Sequence, residues 1–166
     1  MESIDNTDKY YFFWQTSSPF SNWHFSQYIL DDLQFNCSEQ GVMYSKAILF
    51  GDIVVAKKIL KCLPNQQKLM KSLGRQVKNF DENIWKKHRI QIYKRHCHAK
   101  FSQNQHLKNI LISTGNKILV EASPSDKIWG IGLSAHIAKS TPVEKWKGLN
   151  LLGQILTEIK FQFMTE

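Results

Sequence analysis

The segment from Cys37 to Phe50 contains an acid and a lysine at a spacing that suggests a catalytic or binding site. As a helix, it places five residues at three- and four-residue spacing on one face, namely Glu39, Met43, Lys46, Ala47 and Phe50. The apolar members predict that this face packs inward, so a carboxylate and an ammonium lie on the buried side. Burying an acid costs free energy unless it is paired or lines a polar cavity. Glu39 is therefore the first candidate for chemistry.

Two structural interpretations of Glu39 stand beside the catalytic one. With Ser38 as the helix N-cap, Glu39 falls in the first turn, where the helix dipole stabilises a carboxylate. Alternatively, Glu39 forms an inward salt bridge with Lys46. Taken alone, the helix favours these structural roles over catalysis.

Length and composition predict a folded protein with one domain. The 166 residues are 42% hydrophobic and 12% aromatic, enough to bury a sizeable core. We expect a disordered or loosely ordered tail at residues 1–8 and a single domain at residues 9–163. No apolar run reaches the roughly 18 residues that span a bilayer, and the polar N-terminus lacks the layout of a secretion signal. We therefore expect a cytoplasmic protein (nuclear if eukaryotic), with no membrane contact and no obligate protein partner.

The formal net charge of +8 indicates an anionic partner. A basic surface attracts nucleic acid, anionic membrane or small phosphorylated ligands, and composition does not choose among them. The positive charge is densest at five residues, Lys86, Lys87, Arg89, Lys94 and Arg95. By default these residues form a solvated helix face; if the substrate is attached to DNA, they are the candidates to hold the polynucleotide.

The cysteines and histidines give no sign of a metal site. Cys37, Cys62 and Cys97 are odd in number and contain no CxxC pair, so neither a disulfide framework nor a zinc ribbon is indicated. The neighbours His96, Cys97 and His98 point in different directions on a helix and cannot converge on one ion. We expect no metal and no other cofactor.

Residue patterns predict a helix-rich α+β fold, a single domain with a small sheet of short strands. Strands are expected at 9–14, 25–30, 33–35 and 117–122. Helices are expected at 37–50, 53–62, 66–73, 82–101, 104–112 and from 151 onward. Three residues are assigned to helix ends, with Gly74 after a C-terminus and Asp81 and Asn150 as N-caps. The glycine-interrupted stretch 126–133 cannot be a plain helix.

Eight short motifs follow one another along the chain in a recognisable order. They are Phe20-Ser21-Asn22, Ser38-Glu39 with Lys46-Ala47, Leu73-Gly74-Arg75, Trp85, Lys100-Phe101, Leu119-Val120-Glu121, Asp126 with Trp129-Gly130-Ile131-Gly132, and Gly148-Leu149-Asn150-Leu151-Leu152-Gly153. As an ordered set, from about Phe12 to Ile159, they resemble the NADAR domain, also called YbiA-like. The chain departs from the family pattern at Gln40-Gly41, and it has Ile131 where some relatives carry an acid. Neither departure affects the catalytic Glu.

The resemblance implies a YbiA-like fold and an N-glycosidase activity. Members of the family act on ADP-ribose attached to guanine in DNA or on phosphoribosyl intermediates of riboflavin synthesis. Breaking a C–N glycosidic bond builds positive charge on the ribose, which a fixed carboxylate stabilises while it orients or deprotonates water. The resemblance makes Glu39 that carboxylate.

Nine further residues are implied to bind substrate. Asn22 would bind a hydroxyl or the leaving base, and Asp126 or Glu121 would bind ribose hydroxyls. Lys46 and Arg75 would bind phosphate. Trp85 and Trp129 would stack on the substrate, and Gly130 and Gly132 would give the backbone room to approach it. Structural alternatives stay open for several of them. Arg75 could cap a helix end, Trp85 and Trp129 could be core, and Glu121 could be an exposed strand residue.

The leading functional hypothesis is removal of ADP-ribose from guanine bases in DNA, because the basic charge suits a DNA-linked substrate. One alternative is hydrolysis of phosphoribosyl riboflavin intermediates. Another is a non-catalytic module that binds ADP-ribose or NAD, although such a module gains nothing from an acid beside the ribose.

Overall fold

The computed structural model describes residues 3–166, and its contacts divide the chain into two compact units. The central unit is Asn22–Leu107, and the terminal unit combines the residues up to Ser21 with Lys108–Glu166. The helices are α1 Ser38–Leu49, α2 Ile53–Leu60, α3 Gln67–Arg75, α4 Glu82–Gln103, α5 Gln105–Ser113, α6 Ala135–Ala138 and α7 Leu151–Met164, with a 3₁₀ turn at Val143–Lys145. The strands are β1 Tyr10–Phe13, β2 Tyr28–Leu30, β3 Leu33–Phe35 and β4 Ile118–Glu121.

The helix-rich α+β class is confirmed, and the short strands pair in two places instead of one. In the described residues β1 and β4 form a parallel pair, while β2 and β3 form an antiparallel hairpin. Asp31 and Asp32 turn this hairpin at positive φ values of 53° and 64°. Two consecutive left-handed residues suit the twist of a tight hairpin, and Asp tolerates that conformation.

In the central unit, α1 packs against α2, α3 and α4, and close approach to α1 requires two glycines. Gly74 lies inside α3, where a Cβ would collide with the Met43 sulfur of α1. Its prediction as a residue after the helix end is therefore wrong, because close packing between helices accounts for this glycine. At Gly41, a Cβ would collide with the Tyr28 hydroxyl and the His96 ring.

Two predicted N-caps in the central unit have opposite outcomes, since one is confirmed and the other is wrong. Asp81 accepts hydrogen bonds from the backbone N–H groups of Asn83 (2.9 Å) and Ile84 (3.1 Å), which confirms it as the cap of α4. Ser38 is not the cap of α1, since the helix begins at Ser38 and Cys37 occupies the cap position without a side-chain cap hydrogen bond. The Ser38 hydroxyl has another partner, described below.

In the terminal unit, β4 lies between β1 and α7. Its core contains Val120, Ala122, Ile131, Leu133 and Ala138. Asn150 stands at the cap position of α7 with a left-handed φ of 53°, but its side chain does not cap the helix. The amide instead donates to the Leu119 carbonyl (3.0 Å) and accepts from the Glu121 N–H (3.0 Å), which ties α7 to β4. The predicted capping role of this side chain is therefore wrong.

The tail expected at residues 1–8 is described only from Ser3, because residues 1 and 2 lie outside the described residues. Asn6 donates through its side chain to the carbonyls of Ala138 (2.9 Å) and Thr141 (2.7 Å). Its backbone N–H donates to the Lys139 carbonyl at 3.0 Å. From residue 3 onward, no helix has both the length and the apolar character that crossing a bilayer requires.

Candidate active site

The start of α1 holds Glu39 and Asn22 together. Glu39 is 7% exposed in the first turn, and its backbone N–H donates to the Asn22 carbonyl at 3.0 Å. The Asn22 side chain is fastened as well, since its Oδ1 accepts from the Ser38 hydroxyl at 2.7 Å. The predicted catalytic acid and one predicted binding residue are therefore adjacent in the structure.

Lys46 follows Glu39 two turns later on α1 and is half-buried. Burial lowers the pKa of its ammonium, the nearby carboxylates of Glu39 and Glu82 raise it, and the positive charge of Arg75 lowers it further. Residues of α1, α3 and α4 thus all influence Lys46. Glu39, Lys46 and Arg75, which the sequence predicts as site residues, thus belong to one charged cluster.

Aromatic rings line the same cluster. The Lys46 ammonium lies 4.7 Å from the centre of the Phe80 ring and 5.6 Å from that of Trp85, distances at which a cation is attracted to a ring face. Trp85 is 8% exposed, which makes it a core residue as well as a wall beside Lys46. Phe80 is 43% exposed and packs edge-on against Phe50.

Phe80 and Glu82 are two residues of this cluster that the sequence did not single out. Both flank the N-cap Asp81, and at that place an aromatic residue and an acid are ordinary features of a helix start. The sequence feature that could have identified them is their position a few residues before Trp85, which was already predicted to contact substrate. We name the set Asn22, Glu39, Lys46, Arg75, Phe80, Glu82 and Trp85 the α1 site.

The other predicted residues lie in the terminal unit, in a segment we name the glycine loop, residues 121–132. The Asp126 carboxylate accepts hydrogen bonds from the backbone N–H groups of Ile128 and Trp129, both at 2.9 Å. Its carbonyl accepts from the Gly132 N–H, and the Glu121 carbonyl accepts from the Ile131 N–H, each at 3.0 Å. Asp126 therefore shapes the loop that also contains half-buried Glu121 and Trp129.

At both glycines of this loop, a side chain would come too close to other atoms of the protein. A Cβ at Gly130 would lie 2.8 Å from the Glu121 carbonyl oxygen and 3.0 Å from that of Asp126. Gly132 has a φ of 68°, which strains other residues, and a Cβ there would lie 3.1 Å from Lys147 Cβ. Room for a ligand beside these glycines stays a prediction, because the space is used by backbone and side chains of the protein itself.

His96, whose neighbours in sequence cannot join it in a metal site, lies within a buried hydrogen-bonded chain. Its Nδ1 is 2.8 Å from the Tyr28 hydroxyl and its Nε2 is 2.7 Å from the Ser45 hydroxyl. The pKa of His96 is lowered to about 4, chiefly by burial and to a smaller extent by the charge of Arg95, while Asp31 opposes the shift. Among residues 3–166 no group of three or more His, Cys, Asp or Glu side chains has a spacing that could hold a metal ion.

The basic residues of α4 differ in availability. Lys86 and Lys87 are exposed, whereas Arg89 and Lys94 are less accessible. One guanidinium nitrogen of Arg95, Nη2, donates to both carboxylate oxygens of Asp31 at 2.8 and 3.0 Å, so the charge of Arg95 is partly neutralised within the protein. Of the five basic residues predicted to hold DNA, Lys86 and Lys87 are therefore the best placed for an outside partner.

Comparison with known proteins gives a consistent result. The model of the NADAR domain matches residues 8–164. N-glycosidase R617 of Acanthamoeba polyphaga mimivirus is 45% identical over 165 residues, covering 93% of this chain and 96% of the viral protein. The riboflavin biosynthesis protein PYRR, chloroplastic, of Arabidopsis thaliana is 33% identical over 96 residues, covering 58% of this chain and 14% of the plant protein. The NMR structure of the E. coli protein YbiA has a TM-score of 0.76 at 26% identity, covering 95% of this chain and 86% of that chain.

Proposed function

The chain belongs to the NADAR domain family of N-glycosidases, and we propose that its substrate is ADP-ribose joined to a guanine base of DNA. In this reaction water adds to the anomeric carbon of the ribose, the C–N bond breaks, and the base leaves with the bonding electrons and a proton. Free ADP-ribose and an unmodified base are the products.

The observation that carries the proposal is the placement of Glu39. A carboxylate that is 7% exposed, in the first turn of a helix and within electrostatic reach of Lys46, is held in place before any substrate arrives. Such a group stabilises the positive charge that develops on the ribose ring and can accept a proton from the attacking water. Because it is preorganised, it costs no reorganisation when the bond breaks.

The cations of the α1 site suit a phosphate-bearing substrate. Arg75 is exposed in the last turn of α3, and a guanidinium can bind phosphate with two parallel hydrogen bonds. Burial lowers the pKa of Lys46, while the carboxylates of Glu39 and Glu82 raise it. We therefore assign the phosphate to Arg75, and we assign Lys46, which shares α1 with Glu39, to the part of the substrate beside that carboxylate.

Support for a DNA-linked substrate comes from the charge. The net charge is +8, and exposed Lys86 and Lys87 follow Trp85 directly on α4. One helix thus supplies a wall of the α1 site and two exposed cations for a polynucleotide backbone. Phosphoribosyl intermediates of riboflavin synthesis are the second candidate, favoured by the similarity to PYRR.

The test is direct comparison of the two substrate classes. Wild-type protein and Glu39→Gln are incubated with a DNA oligonucleotide that carries ADP-ribosyl guanine and with the phosphoribosyl riboflavin precursors, and release is followed by mass spectrometry. We expect wild type to free ADP-ribose from the DNA and Glu39→Gln to do so far more slowly. Cleavage of the riboflavin precursors alone would replace the proposed substrate, and binding of ADP-ribose without any cleavage would identify a non-catalytic module.

A further inference from the structure

Ser38 is fully buried at the first position of α1, yet its hydroxyl does not serve the helix. The hydroxyl donates to Asn22 Oδ1 at 2.7 Å and lies 3.4 Å from the Asn22 carbonyl oxygen. A buried hydroxyl at a helix start ordinarily satisfies the exposed N–H groups of the first turn. Here the N–H of Glu39 is satisfied by the Asn22 carbonyl instead, which releases the Ser38 hydroxyl for the Asn22 side chain.

The Asn22 amide is constrained on its oxygen side. Besides the Ser38 hydroxyl, the thiol of Cys97 lies 3.8 Å from Oδ1 and donates to it, and Cys97 is 1% exposed. A carbonyl oxygen has two lone pairs, so these two donors fill its hydrogen-bonding capacity. With both of these donors on Oδ1, the NH₂ group lies on the opposite side of the amide.

We propose that Ser38 is a positioning residue for the N-glycosidase reaction, which fixes the Asn22 side chain so that its NH₂ group is presented to an acceptor atom of the substrate beside Glu39. The inference rests on the proposed function and deepens it, because it assigns Asn22 as a donor only. The matching atoms in the substrate class are a ribose hydroxyl oxygen or the ring nitrogen and carbonyl oxygen of a purine edge. An acceptor on the leaving base would gain electron density as the C–N bond breaks, so that a donor there strengthens in the transition state.

A double-mutant cycle on kcat/KM separates positioning from a merely structural role. Ser38→Ala is expected to lower kcat/KM roughly 2- to 13-fold, the equivalent of one net neutral hydrogen bond. In an Asn22→Ala background the same change is expected to have no further effect, because the group that Ser38 orients is gone. Ser45→Ala is the matched control, since it removes a hydroxyl from the same helix that bonds His96 instead. It is expected to leave kcat/KM unchanged; additive losses at positions 38 and 22 would overturn the proposal.

Asn22→Asp tests the donor assignment. The two side chains have nearly the same shape, but the carboxylate replaces the NH₂ donor by an acceptor near Glu39. We expect its kcat/KM to be at least as low as that of Asn22→Ala. Activity equal to wild type would show that no donor is needed at this position and would overturn the proposal.

The orientation of Asn22 can also be followed without any substrate. Its side-chain NH₂ signals are assigned in ¹⁵N NMR spectra by their loss in Asn22→Ala. Ser38→Ala is expected to shift this pair of signals, and Ser45→Ala is expected to leave them in place; unchanged signals in Ser38→Ala would contradict the inference. If wild type releases no ADP-ribose at all, the proposed function fails, while this spectrum still decides whether Ser38 orients the Asn22 side chain. If wild type is active and the cycle is additive, the function stands and the role of Ser38 is wrong.

Discussion

The α1 site and the glycine loop contain similar predicted residues but use them differently. In the α1 site, Glu39 from the same helix and Arg75 from α3 both act electrostatically on Lys46. In the glycine loop, Asp126 accepts two backbone N–H groups, and Gly130 and Gly132 make room for the protein's own atoms. A residue in a family motif can therefore either contact a ligand or hold the local backbone in place. Only its contacts in the structure distinguish these two roles.

Removing the charge without changing the shape gives the largest contrast between the two regions. Glu39→Gln is expected to lower kcat by about 10²–10³-fold, equivalent to about 2.7–4 kcal/mol of barrier, by analogy with other electrostatic stabilisers. Asp126→Asn keeps an oxygen that can accept from the Ile128 and Trp129 N–H groups, so the loop is expected to persist with a much smaller loss. Steady-state kinetics on the preferred substrate, with circular dichroism as a control for folding, measures both.

The opposite ranking would break the comparison. A loss in Asp126→Asn as large as that in Glu39→Gln, with folding intact, would mean that the charge of Asp126 contacts substrate or the reacting atoms. The Asp126 carboxylate would then combine loop formation with ribose binding, as the family resemblance implies.

Acid is expected to weaken the central unit through His96. The pKa of His96 in the folded protein is about 4, below the ordinary value of 6.5, so the unfolded chain takes up the proton first. Stability is therefore full above pH 6.5 and falls as the pH drops towards 4, by up to about 3 kcal/mol from this group. Denaturant unfolding between pH 7 and 4.5 measures the loss.

Two variants separate His96 from the other titrating groups. His96→Asn is expected to be less stable at pH 7, because Tyr28 and Ser45 lose their buried partner, but also less sensitive to acid. His106→Asn, at an exposed site on α5, is expected to behave as wild type. An unaltered pH dependence in His96→Asn would assign the acid sensitivity elsewhere.

Trp129 tests whether the glycine loop contacts ligand at all. Trp129→Ala is expected to weaken ADP-ribose binding by about 1–3 kcal/mol, the value of one stacked base, with a modest change in melting temperature. Calorimetric titration and thermal melts measure the two quantities. A large drop in melting temperature with unchanged affinity would place Trp129 in the core.

The smallest expected effect concerns Lys86 and Lys87. Changing both to Glu is expected to slow release from modified DNA and to reduce the salt dependence of DNA binding. The log–log slope should fall by roughly 0.7–0.9 for each phosphate that the protein no longer neutralises. Binding of free ADP-ribose should be spared. The matched control reverses Lys57 and Lys58, which are exposed on α2. Equal effects of both double changes would indicate a general charge effect and not a DNA-binding face.

Features that depend on neighbouring residues were predictable. Residue types and apolar periodicity located the strands and the longer helices of the described residues to within a few residues, although α6 was not predicted. Asp81 was recognisable as a cap because its partners are two and three residues away. Gly74 and Asn150 were misassigned for the opposite reason. Their partners, the Met43 side chain and the backbone of β4, are remote in sequence, so local spacing carried no information about them.

The family, the helix-rich class and the inward placement of Glu39 were predictable from the sequence, because the order of motifs and the helical periodicity of apolar residues can be recognised without a structure. Which side chains share a site became clear only from the tertiary structure. It joined Phe80 and Glu82 to Lys46, bound Arg95 to Asp31 and turned the Ser38 hydroxyl towards Asn22. The physical reason is that hydrogen bonds and charge interactions act over a few ångströms, and residues far apart in the sequence come within that distance only when the helices pack.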